Sequence, residues 1–143
     1  MVFEQLRKTQ TISDEKFDTI YPKSIQKLAS DHFTPVEVAQ TAAQFLVENA
    51  QTKVLDIGSG AGKFCFVGAA CTTGQFIGVE LRAHLHLVAN QIAENRQLAN
   101  VAFIHANITQ VDFNEYQPFS FYNSFFHMMN SSFDSRLFYV ISP

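Results

Sequence analysis

The chain has 143 residues, a net charge of -3 and 47% hydrophobic residues, among them 15 phenylalanines. This length predicts one domain with its own core, and the acidic balance argues against nucleic-acid binding through overall charge. The sequence lacks a signal peptide and any run of roughly 18 apolar residues, so we expect a cytoplasmic protein with no membrane partner. Cys65 and Cys71 form no CxxC pair, which predicts buried free thiols and no metal site.

The first third of the chain is predicted to be helical. Residues 1–33 are expected to form an N-terminal helical extension, followed by one domain over residues 34–143. Thr34 is suited to cap the next helix, with Glu37 completing a capping box. That helix is expected to run to about Asn49.

Short apolar runs then alternate with helical segments. This alternation predicts parallel βαβ crossovers and therefore an α/β sheet with helices on both faces. The predicted strands and helices occupy residues 54–57, 63–72, 75–80, 82–98, 101–105 and 119–123. A fifth strand is expected at residues 137–141, although the preceding 13 residues barely accommodate a crossover helix.

A glycine loop, Asp56-Ile57-Gly58-Ser59-Gly60-Ala61-Gly62, joins the first strand to the first buried helix. A strand, a glycine loop and a helix in this order are typical of a site for a nucleotide-like ligand. A P-loop is excluded because Phe64 stands where that motif needs Ser or Thr. The NAD fingerprint would place a glycine at the position of Lys63. The remaining pattern, an acidic residue followed by GxGxG, suits a ligand with a ribose and an amino-acid tail.

Glu80 ends the second predicted strand, 20 residues after Gly60. An acidic side chain at this place can accept hydrogen bonds from the hydroxyls of a ribose. The alternative is a structural role, in which Glu80 caps the helix that begins near Arg82.

Four segments resemble motifs of the class I S-adenosylmethionine-dependent methyltransferases. VLDIGSGAGKF at 54–64 is similar to their first motif, and GVEL at 78–81 to their second-strand acidic motif. HANITQVDF at 105–113 resembles their third-strand segment, and FSFYNSFF at 119–126 lies at the fourth-strand position. The resemblance implies a Rossmann-like, mostly parallel sheet in the strand order 3-2-1-4, with S-adenosylmethionine as the cofactor.

Carried over by matching position, the resemblance implies these cofactor-binding residues: Asp56, Gly58, Ser59, Gly60, Gly62, Glu80, Leu81, Asn107 and Ile108. Asp56 would meet the methionine amino group. Leu81 and Ile108 would pack on the two faces of the adenine. Asn107 stands where the family usually carries Asp, and its amide oxygen would accept from the adenine amino group.

Two further residues are candidates for the site. Asn123, at the end of the fourth predicted strand, is expected to face the substrate. Thr34 either contacts the cofactor tail or caps its helix. No residue is identified as catalytic.

The resemblance implies methyl transfer to a nucleophile that the sequence leaves open. The alternatives are a truncated or inactive cofactor-binding fragment and, as a third hypothesis, a NAD-binding module. The fragment is considered because the later strands of the family are missing or incomplete here. An uncovered fourth strand would also favour a homodimer that covers the sheet edge.

Overall fold

The computed structural model describes residues 1–116, 119–122 and 138–141, in which six α-helices and five strands follow one another. The helices are α1 Val2–Arg7, α2 Asp14–Asp18, α3 Lys23–His32, α4 Val36–Leu46, α5 Lys63–Cys71 and α6 Ala83–Asn95. The strands are β1 Lys53–Ile57, β2 Gln75–Glu80, β3 Val101–His105, β4 Phe119–Tyr122 and β5 Phe138–Ile141. None of the helices in these described ranges combines the length and the hydropathy of a membrane-spanning segment.

The five strands form one sheet in the order β3-β2-β1-β4-β5. The first four are parallel, which confirms the α/β class and the predicted order 3-2-1-4. β5 pairs with β4 in the antiparallel direction, so this pair needs no crossover helix. β5 therefore covers the edge of β4 that was expected to be open, and among the described strands β5 is the outer one on this side.

One face of the sheet carries the main core. The connections from β1 to β2 and from β2 to β3 step in the same direction across the sheet, so right-handed crossovers place α5 and α6 on the same face. Val54 and Phe76 point to this face and pack in one cluster with Phe66 of α5 and Leu85 of α6. As predicted from its apolar composition, α5 is buried along nearly all its length.

The opposite face is covered by a shorter connection. The step from β3 to β4 runs back across the sheet, which requires a right-handed crossover to use the other face. Residues 106–116, with 3-10 turns at Ile108–Gln110 and Phe113–Glu115, pack there against Leu55 and Val79.

Residues 1–33 pack into the same core as α5. Phe3 makes an edge-to-face contact with Phe66 at a centroid distance of 6.1 Å, and Leu6 and Phe17 are fully buried. The division into an extension and a domain stays a prediction, but the side chains of both parts belong to one hydrophobic cluster.

The start of α4 differs from the prediction. Pro35 is the N-cap residue and supplies no side-chain hydrogen bond, so the predicted Thr34 cap and capping box are wrong. The N–H of Val36 instead donates to Asp14 Oδ1 at 2.9 Å, a carboxylate brought in by α2. The helix also ends at Leu46, before the predicted limit at Asn49.

Candidate functional site

The glycine loop turns back over the carboxyl end of β2. The N–H groups of Gly58 and Ser59 both donate to the carbonyl oxygen of Val79, at 2.8 and 3.0 Å. Gly60 and Gly62 have φ values of 58° and 88°, which lie in the left-handed region that side chains rarely adopt. The loop therefore needs glycine for its backbone conformation as well as for space.

Neighbouring rings come close to the loop glycines. A Cβ added at Gly60 would lie 2.9 Å from Phe33 Cε1, and one added at Gly62 would lie 2.5 Å from Phe103 Cζ. Gly78 in β2 is a further glycine of this kind, since its Cβ would lie 2.6 Å from Ser59 Oγ. Gly78 was absent from the predicted site, although a glycine inside a strand indicates a close approach of another chain segment.

Glu80 lies directly beneath the glycine loop. Its side chain is 3% exposed, and Oε2 accepts from the N–H of Gly60 at 2.7 Å. Oε1 accepts from the backbone N–H and from Nε of Arg82, both at 2.9 Å. Glu80 thus contacts the loop, as the binding hypothesis requires, and also Arg82, the N-cap residue that precedes α6, although no side chain caps the first turn of that helix.

The hydrogen bonds of Glu80 favour its ionised form. Burial acts to raise the pKa of Glu80, but the hydrogen bonds and charge of Arg82 and the N–H of Gly60 bring it below its ordinary value. The site therefore holds a buried negative charge against the glycine loop.

Asp56 is a second buried carboxyl in the site. Its side chain is 4% exposed and Oδ2 accepts a hydrogen bond from Cys65 Sγ at 3.8 Å. The pKa of Asp56 is raised to about 8, chiefly by burial, with the charge of Glu80 acting in the same direction and the hydrogen bond from Cys65 acting against it. Asp56 therefore holds a proton at neutral pH unless a cation lies beside it.

A small, partly open pocket lies between the glycine loop and the start of α4. Its lining includes Asp56, Gly58, Ser59 and Thr34, which brings three predicted loop residues together with the predicted tail residue. Ser59 Oγ is buried there and has no hydrogen-bond partner among the described residues. Thr34 is 5% exposed and lines this pocket, and it does not cap α4.

The N-terminal helices hold the loop from behind. The hydroxyl of Tyr21 donates to the carbonyl oxygen of Ala61 at 3.1 Å, and Lys63 Nζ pairs with Asp14 and Asp18 at 2.6 and 2.8 Å. Lys63 is 2% exposed, so these two carboxylates supply its counter-charge. The pKa of Asp18 lies above its ordinary value, because burial outweighs the hydrogen bond and the charge of Lys63 that act to lower it. Sequence reasoning missed this contact, because nothing local to Tyr21 or Asp14 indicates their distant partners.

The predicted adenine side is more open. Leu81 is 61% exposed, and Asn107 is exposed while Ile108 is partly buried. Asn107 Oδ1 accepts from the backbone N–H of Thr109 at 3.1 Å, so the amide oxygen assigned to the adenine already caps a 3-10 turn. His105 Nε2 donates to the Leu81 carbonyl oxygen at 3.0 Å and holds this stretch against β3.

The predicted substrate-facing Asn123 lies outside the described residues. Within the part of the chain that the structure describes, no group of His, Cys, Asp or Glu side chains could hold a metal ion. Cys65 and Cys71 are both free thiols there.

Comparisons with known proteins give one family match. The family described as "Methyltransferase domain" matches residues 48–139, which include the glycine loop and Glu80. No curated protein matches the sequence at a significant level.

Solved structures resemble the fold. An RNA methyltransferase from Salinibacter ruber in complex with S-adenosyl-L-homocysteine is 23% identical with a TM-score of 0.53, over 58% of this chain and 55% of that one. The YcgJ protein from Bacillus subtilis is 25% identical with a TM-score of 0.46, over 52% of this chain and 32% of that one. Coclaurine N-methyltransferase bound to N-methylheliamine and S-adenosylhomocysteine is 23% identical with a TM-score of 0.46, over 54% of this chain and 22% of that one. The chain thus covers less than two thirds of each of these proteins.

Proposed function

Because this chain belongs to the methyltransferase domain family, we propose that it binds S-adenosylmethionine and transfers the methyl group to a nucleophile. The observation that carries the proposal is the contact between Glu80 and the N–H of Gly60 at 2.7 Å. It brings the acidic end of β2 against the glycine loop, where a ribose can meet both. The carboxyl ends of β1 and β4 also lie together where the strand order reverses, which is the usual place for a ligand in such sheets.

The residues present suit this cofactor at five points. Gly58, Gly60 and Gly62 carry no side chain and have positive φ values, so the loop can present its backbone to a ligand, and Ser59 Oγ is buried without a partner among the described residues. Asp56 can receive a cationic amino group by giving up its proton, and Glu80 supplies a buried carboxylate for hydroxyl groups. Leu81, which is largely exposed, offers an apolar surface to an aromatic base.

S-adenosylmethionine, when bound, supplies a methyl group already activated by the sulfonium. The protein then needs to align the nucleophile, about 3–3.5 Å from the methyl carbon, and to exclude water. Phe33, Phe64 and Thr34 line the pocket beside the loop and are the residues that we expect to exclude water there. Asn123 is proposed as the residue facing the acceptor, because it directly follows β4.

Calorimetric titration with S-adenosylmethionine and, separately, NAD tests the proposal. We expect binding of the first and none of the second. Gly60→Val should abolish binding, because its side chain needs the space of Phe33 and strains a backbone with φ of 58°. Ala102→Val is the matched control, since it places the same side chain on an exposed strand position. Equal affinity in the Gly60→Val variant would refute the loop assignment.

The second candidate is a chain that binds the cofactor without turnover. Formation of S-adenosylhomocysteine in the presence of amine, carboxylate and hydroxyl acceptors separates the two, since only the enzyme consumes the cofactor. A cytoplasmic location is part of the proposal and is supported by the two free thiols. A homodimer through the sheet edge also stays a prediction, with β5 as the strand that would pair.

A further inference from the structure

The carboxylate of Glu80 has no acceptor position to spare. Two carboxylate oxygens offer about four lone-pair sites. Oε1 receives the backbone N–H and Nε of Arg82, both at 2.9 Å. Oε2 receives the N–H of Gly60 at 2.7 Å and Nη2 of Arg82 at 3.4 Å. A ribose that donates two hydroxyl groups must therefore displace two of these donors.

The four donors differ in how readily they can leave. The N–H of Gly60 belongs to the glycine loop, and the N–H of Arg82 belongs to the backbone that begins α6. Moving either would require the loop or the helix start to be rebuilt. The Arg82 side chain is 44% exposed, so its guanidinium already reaches water and can turn away from Glu80 while the backbone stays in place. Its two bonds, one to each oxygen, are the ones that a ligand can replace.

We propose that the Arg82 guanidinium occupies the positions on Glu80 that the two ribose hydroxyls take, and that it leaves as the ligand enters. This inference rests on the proposed function. Arg82 is then a residue that sets affinity by competing with the ligand. It keeps the buried Glu80 charge paired, and the cost of breaking that pair weakens binding of any ligand with a ribose diol.

A ligand comparison tests this displacement directly. We would titrate S-adenosylhomocysteine and its 2′,3′-dideoxy analogue into the unmodified protein and into Arg82→Ala. For the diol ligand we expect Arg82→Ala to bind on the order of twofold to fivefold more tightly, as expected when a partly exposed ion pair no longer competes. For the dideoxy analogue we expect the two proteins to bind equally, because that ligand has no hydroxyls with which to replace Arg82.

Two further variants complete the design. Lys27→Ala removes the same charge from an exposed position of α3 and should leave both affinities unchanged. Arg82→Gln keeps part of the side-chain stem and should show the same gain as Arg82→Ala, so the result does not depend on one variant folding. Thermal unfolding of each protein checks that the fold is intact.

The outcomes are distinct. Equal or weaker binding of the diol ligand by both Arg82 variants would overturn the inference, since Arg82 would then assist the ligand or ignore it. A gain that is equally large for the dideoxy analogue would also overturn it, because the effect would come from charge alone. If none of the proteins binds either ligand, the proposed function itself fails.

Discussion

Replacing Asp56 by Asn should remove a pH dependence from the stability of the protein. Burial raises the pKa of Asp56 from 3.8 to about 8 in the folded chain, and its side chain is 4% exposed. Between these two pKa values the folded protein keeps the proton while the unfolded chain releases it. Stability therefore falls as the pH rises through this window, and the fall ends above the folded pKa.

The size of the effect follows from the width of the window. One proton bound in the folded state alone is worth about 1.36 kcal/mol of unfolding free energy for each pH unit. Between about pH 6 and pH 7.5, Asp56 should therefore cost the unmodified protein roughly 2 kcal/mol. Asp56→Asn has no proton to lose and should lack this component. Its amide oxygen can still accept the hydrogen bond from Cys65.

Urea unfolding of both proteins at these two pH values measures the difference. Glu80 is ionised in the folded and unfolded chains over this range because its folded pKa is lowered, so it adds no slope. His86, whose pKa is lowered by burial and by His105, titrates in both proteins and cancels in the comparison. The same loss of stability with pH in both proteins would show that Asp56 is ionised when folded, and the account of the buried carboxyl would be wrong.

Two contacts behind the glycine loop give further predictions. Lys63→Met removes a cation that is 2% exposed and leaves Asp18 buried without its counter-charge, so we expect a loss of about 3–5 kcal/mol in urea unfolding. Adding Asp18→Asn to Lys63→Met should recover part of that loss, and a single-variant loss below about 1 kcal/mol would contradict the burial of the pair. Tyr21→Phe removes one hydroxyl that donates to the loop. We expect it to lower the free energy of unfolding by about 1 kcal/mol and to weaken the affinity for S-adenosylmethionine a few-fold in a calorimetric titration. Unchanged affinity in Tyr21→Phe would show that the hydrogen bond to Ala61 does not contribute to ligand binding.

The features that the sequence predicted well depend on local patterns. β1, the glycine loop and β2 carry their apolar runs and glycines in consecutive residues, and they form at the predicted positions. Glu80 reaches the loop because the ends of adjacent parallel strands meet at one edge of the sheet.

The features that it missed depend on residues distant in the chain. Thr34 has the local chemistry of a helix cap, yet the acceptor for the first helical N–H is Asp14, 22 residues earlier. The turn that Asn107 Oδ1 completes with the N–H of Thr109 was not predicted either, while the role of Asn107 toward the ligand stays a prediction. The ion pair between Arg82 and Glu80 was also missed, although the two residues are only two positions apart. A charged residue that follows a strand end can point in many directions, so its position in the sequence does not predict this contact.

The contacts that residues 14–21 make with Ala61 and Lys63 also bear on the order in which the chain can fold during synthesis. Tyr21 and Ala61 are 40 residues apart, and Asp14 and Lys63 are 49 apart, so the earlier partner leaves the ribosome well before the later one. The aromatic side chains of the first helices must therefore stay exposed until α5 emerges, which is the interval in which a nascent chain is most prone to associate wrongly. We expect chaperone contacts with this protein to be concentrated in that interval.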